Sequence, residues 1–150
     1  MSKNIRIVLL LSLVSISPCT IGCHRPHPPE SRFFSPVYNE GDPGRGIGGY
    51  DLKSGADQSF AFDYNHAGKL DHIALYRPGT GTFWILENKN GVFSPVYHQG
   101  DPGNGIGGYD LKSRADRAFA FDFNHTGKLD HIALYRPGTG TFWILQERKE

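Results

Sequence analysis

Residues 34–86 recur as residues 93–145, and only eight of the aligned positions differ: Asn39/His98, Glu40/Gln99, Arg45/Asn104, Gly55/Arg114, Gln58/Arg117, Ser59/Ala118, Tyr64/Phe123 and Ala67/Thr126. Self-similarity of this kind signals a repeat architecture, in which one small supersecondary unit buries its apolar faces against its neighbours. Any fold for this chain has to be buildable from one unit used twice.

The unit is a series of short strands and tight turns. Residues 59–64 alternate and are aromatic; residues 71–77 and 82–87 are apolar on both faces. Between the last two, Pro78-Gly79-Thr80-Gly81 makes a hairpin, since proline presets one turn dihedral and glycine supplies positive φ. Residues 88–91, Asn-Lys-Asn-Gly, make a second turn into residues 92–97, where Pro95 predicts an edge strand. Four antiparallel strands with apolar residues on both faces describe a β-propeller blade sandwiched between others. The predicted fold class is therefore all-β, with two four-stranded antiparallel blades of propeller type forming an incomplete ring unless the chain oligomerises.

The remaining sequence divides into a leader and a linker. Lys3 and Arg6 precede an apolar run ended by Pro18, the layout of a secretory signal peptide over residues 1–23. Thr20-Ile21-Gly22-Cys23 has some of the form of a bacterial lipoprotein cleavage site, so lipid attachment at Cys23 is an alternative. Residues 24–33, rich in His and Pro, read as a stiff linker, and the tandem repeats occupy 34–92 and 93–150. Both cysteines, Cys19 and Cys23, lie outside the repeats, so no disulfide supports the fold there. The expected location is secreted or cell-surface. Beyond Arg32 the charge is nearly balanced and slightly acidic, which argues against nucleic acid as a partner.

The register of the repeat predicts a partner of another kind. Residues 34–38 read as a fourth strand, residues 59–97 as a complete blade, and residues 118–145 as the first three strands of another. Leaving two blade faces wet exposes about 800 Å² and forfeits roughly 10 kcal/mol, as much as a typical domain's whole stability. Copies are expected to join head to tail as a homo-oligomer, the alternative being that the sequence is a fragment of a longer propeller.

Two sets of residues carry candidate chemistry. The loop Asp63-Tyr64-Asn65-His66-Ala67-Gly68-Lys69-Leu70-Asp71 and its repeat from Asp122 to Asp130 place oxygen ligands at the first, third and ninth positions, with glycine at the sixth, as Ca²⁺ requires. These loops resemble those of the FG-GAP/VCBS repeat family, best at Gly68-Lys69-Leu70-Asp71 and Gly127-Lys128-Leu129-Asp130. The resemblance implies a β-propeller with extracellular binding or adhesive roles. It also implies Ca²⁺ held by Asp63, Asn65 and Asp71 and by Asp122, Asn124, Thr126 and Asp130. The fifth position departs from that pattern, being Ala67 in one repeat and Thr126 in the other, and an Asx-type turn without an ion is the competing reading.

The second set is Tyr50, Asp51, Arg77 and Trp84, repeated as Tyr109, Asp110, Arg136 and Trp143. Aromatic faces beside a cation stack on sugar rings and bind hydroxyls. A mid-strand tryptophan more often fills a core, whereas Tyr50, Asp51, Tyr109 and Asp110 fall in interblade loops, where exposed binding groups are expected and simple anchoring of the loop is the competing reading. No catalytic residue is assigned, because no nucleophile elbow and no H-E-x-x-H pair occurs. The expected function is a non-enzymatic binding module for a glycan or an extracellular protein. A structural or adhesive calcium-binding repeat and a hydrolase using the Asp pairs are the alternatives.

Overall fold

The computed structural model describes residues 34–148. The leader, nearly all of the linker and the possible lipid site at Cys23 lie outside the described residues. Pro36–Glu150 forms one unit, and Met1–Ser35 a separate one of which only Phe34 and Ser35 are described, without regular structure. No helix occurs among the described residues.

The first sheet runs β1 (Gln58–Phe62), β2 (His72–Arg77), β3 (Thr82–Lys89) and β4 (Val92–Gln99), paired in sequence order and antiparallel throughout. The second has three strands, β5 (Arg117–Phe121), β6 (His131–Arg136) and β7 (Thr141–Gln146), paired the same way. Each is a meander, and among the described residues the second has no counterpart of β4.

Local chemistry accounts for the turns. Lys89 pairs with Val92, leaving Asn90 and Gly91 as a two-residue hairpin loop. Both have positive φ, 55° and 85°, the type I′ arrangement that matches the twist of the flanking strands. β4 is an edge strand, and Pro95 sits beside the bulge where the β3–β4 register shifts between Ile85 and Leu86, which spares its missing N–H.

Strand alternation gives the first blade two apolar faces. Phe62, Ala74, Tyr76, Phe83 and Ile85 cluster on one face with Ile132 and Leu134 of the second blade and with Tyr109 and Leu111 of the loop between them. Leu75 and Leu86 lie on the other face, under Tyr50 of the preceding loop. The Tyr76 hydroxyl crosses between the blades, accepting from the Ala118 amide at 2.9 Å.

The strand expected over residues 34–38 does not form. A strand exists by pairing, and the β3 edge to which this sequence would be complementary is occupied by β4. Val37 is left fully exposed, and Tyr38 rests edge-on against Phe93 with ring centroids 5.2 Å apart.

Candidate functional site

Arg77, at the end of β2, is the hub of the first candidate site. Its Nε donates to Asp57 Oδ1 at 2.7 Å, and its Nη2 to Asp57 Oδ2 at 3.1 Å and to Asp51 Oδ1 at 2.6 Å. Its Nη1 donates to Asp101. A planar guanidinium with donors on three sides suits such a set where a lysine would not. The fork ties three segments together: the loop before β1, the end of β2 and the loop after β4.

Tyr50 lies beneath this cluster. Its hydroxyl donates to Asp57 Oδ1 at 2.8 Å, the Arg77 guanidinium stands 5.6 Å from its ring centre, and its edge meets Trp84 at 5.7 Å. Burial pushes the Tyr50 hydroxyl far above its usual range, and the neighbouring Asp57 adds to the shift. Burial also raises the Asp57 carboxyl, but Arg77, Tyr50 and the Ser54 amide outweigh it and hold it below the ordinary carboxylate value. Hydrogen bonding from Arg77 lowers Asp51 as well.

The second repeat rebuilds the cluster. Arg136 donates to Asp116 at 2.7 and 3.0 Å and to Asp110 at 2.5 Å, and stands 5.7 Å from the Tyr109 ring centre. The Tyr109 hydroxyl donates to Asp116 Oδ1 at 2.9 Å, and burial with that contact pushes it up to about 12. Tyr109 meets Trp143 edge-on at 5.8 Å.

The expectation that Tyr50 and Tyr109 are exposed is corrected here: each is only 3% exposed. A tyrosine whose hydroxyl reaches a carboxylate already held by arginine is stable when buried, and its ring then anchors the loop. The surface of the site belongs to other groups. Asp51, Arg77, Thr82, Trp84 and Asp101 line a cavity of about 150 Å³ together with Gly49 and Tyr50. Trp84 is half-buried, its Nε1 donating to Gln99 O at 2.9 Å and its ring 5.2 Å from His98. Asp57, Asp101 and Asp116 were not singled out from the sequence, although Asp57 and Asp116 each follow the site tyrosine by seven residues.

The two loops of the other candidate set are organised by their own first aspartate. Asp63 accepts from the amides of Ala67 at 2.9 Å and Gly68 at 2.7 Å, and Asn65 Oδ1 from the Ala67 amide at 3.1 Å. Asp122 accepts from Thr126 and Gly127 at the same two distances, while the Thr126 hydroxyl donates to Asn124. The last aspartates turn elsewhere: Asp71 lies 2.7 Å from His72 Nδ1, and Asp130 lies 2.7 Å from His131 Nδ1 and 2.9 Å from His66 Nδ1. Among the described residues no three His, Cys, Asp or Glu side chains gather as a metal cage. The first aspartate of each loop closes an Asx turn on backbone amides, whereas Asp71 Oδ1 and His72 Nδ1 are buried without a hydrogen-bond partner.

Comparison with known protein families, with curated proteins and with solved structures finds no match for this chain.

Proposed function

We propose that the chain is a secreted, non-enzymatic binding module that recognises a glycan or a protein surface through its two repeated sites. The observation that carries this reading is the arginine–carboxylate cluster beside Trp84, with Asp51 half exposed at the rim of the cavity. These groups are already fixed by one another, so a ligand meets them without paying to order them.

The chemistry suits a sugar ring or a polar side chain. An aromatic surface takes C–H faces, and an adjacent fixed carboxylate takes paired hydroxyls or amides. At about 150 Å³ the cavity accepts one such group, well short of the roughly 300–1,000 Å³ that encloses a drug-sized molecule. Weak single sites used twice gain strength by avidity. Kinship with the FG-GAP/VCBS repeats belongs to the same proposal and is supported by the meander topology and the Gly-Lys-Leu-Asp loops. A hydrolase reading would need free aspartate pairs, whereas Asp63 is engaged with two backbone amides.

A glycan array combined with capture on extracellular protein surfaces tests the proposal. Binding by the native chain, lost in Asp51→Asn with Asp110→Asn while the strand signal in circular dichroism and a cooperative melt are kept, is the expected outcome. Retention of neither ligand class, or binding indifferent to the double substitution, contradicts it.

A further inference from the structure

We infer that a second copy of this chain completes the second blade, residues 34–40 of one copy docking as the fourth strand on the free edge of β7 in the next, head to tail around a closed ring. The first blade supplies the template. Residues 34–38, Phe-Ser-Pro-Val-Tyr, are identical to residues 93–97 of β4, and β7 repeats the Thr-Phe-Trp-Ile-Leu of β3. β3 and β4 pair with Phe83 opposite Gln99, Ile85 opposite Tyr97, Leu86 opposite Pro95 and Glu87 opposite Ser94. Carried over, this register sets Phe142 opposite Glu40, Ile144 opposite Tyr38, Leu145 opposite Pro36 and Gln146 opposite Ser35.

The receiving surface is already shaped for the strand. A cavity of about 580 Å³ is lined in part by Ile106, Gly107, Ile132 and Leu145. Their counterparts in the first blade are Ile47, Gly48, Ile73 and Leu86, and Phe93 packs into the cluster that three of these form, with its backbone oxygen facing Gly48. Phe34 is the residue equivalent to Phe93. On the other face of the second blade Phe121 and Phe142 are exposed, whereas their equivalents Phe62 and Phe83 are completely covered in the first. The covering groups in the first blade include Tyr109 and Leu111; a second copy brings Tyr50 and the exposed Leu52 to the same places.

Polar partners follow the same rule. Arg77 has three aspartates and Arg136 only two, and the residue equivalent to Asp101 is Asp42. The Trp84 indole donates to the carbonyl of Gln99, whose equivalent for Trp143 is Glu40. His66 pairs with Asp130 across the blades, and its equivalent His125 has no such partner among the described residues, with Asp71 of a second copy as the matching acceptor. The second candidate site is therefore incomplete until another copy supplies Asp42. Donation comes from another copy because Tyr38 lies against Phe93, on the face of the first blade turned away from the second. One interface repeated head to tail yields a ring when its rotation closes. The assembly stands whatever the sites bind.

The test uses the full chain carrying Ser35→Cys and Gln146→Cys in a Cys19→Ser, Cys23→Ser background, with native mass spectrometry of the unmodified chain alongside. The register brings the new cysteines within bridging distance only between copies. Expected results are covalent multimers on oxidation, far fewer with Val37→Cys in place of Ser35→Cys, and a single discrete native mass at a whole multiple of the chain. A folded monomer at about 10 μM, a bridge closing within one chain, or an open-ended series of masses overturns the inference.

Discussion

The two blades share nearly all of their sequence, yet one is a finished object and the other is not. Phe83 is completely buried in the first, while its equivalent Phe142 is 57% exposed in the second. Leu111, in the loop between the blades, is completely buried, while Leu52, in the loop before the first, is 46% exposed. Side chains of the same kind at the same place in the repeat thus differ because of their neighbours. Burial in a repeat protein is a property of the stack rather than of the unit.

That contrast can be broken experimentally, and the core aromatics give the largest effect. Phe83→Ala should cost about 3–5 kcal/mol at any protein concentration, as for a fully buried aromatic. Phe142→Ala should approach that cost only where copies are assembled, and fall below about 1 kcal/mol on dilution. Denaturant titrations of both variants at two concentrations check this. Equal costs at both concentrations would mean that the two blades are equally finished within one chain.

The arginine clusters give a smaller, pH-dependent effect. Arg77→Met leaves three carboxylates without their shared donor and should destabilise by about 2 kcal/mol near neutral pH. The carboxyls of Asp51 and Asp57 are held below their unfolded values, so the unfolded state takes up protons first as pH falls. Their contribution is therefore present above about pH 4 and is lost below it as the folded carboxyls protonate. Urea midpoints between pH 6 and pH 2.5 should show a steeper acid limb in the native chain than in Arg77→Met. Arg136→Met should give the weaker change until Asp42 of another copy joins its cluster. The smallest expected effect is at the Asp63 and Asp122 loops, where the Asx-turn geometry predicts no shift in melting temperature at millimolar Ca²⁺; a rise of several degrees would assign a cation to them.

The strands were legible because period-two alternation and turn chemistry are local. Asn90-Gly91 and Pro78-Gly79 announce their hairpins, and the observed strands lie within two residues of those expected from the sequence. The site was legible only in part. Arg77 reaches Asp57 across 20 residues, Asp101 across 24 and Asp51 across 26, and no local pattern carries such a contact. Tyr50 looked like a surface group because it sits in a loop, but loop position does not reveal that Asp57 satisfies its hydroxyl and lets the ring sink. The likeness of residues 34–38 to β4 predicts a strand, but sequence likeness alone does not say whether an edge is free to receive it.

Hydrogen exchange along β3 and β7 of the full chain tests the central claim most directly, since it compares equivalent amides that differ only in their cover. The account predicts that β7 is protected like β3 at high protein concentration and loses that protection on dilution while β3 keeps its own. Fast exchange in β7 at every concentration, with β3 protected throughout, would contradict it.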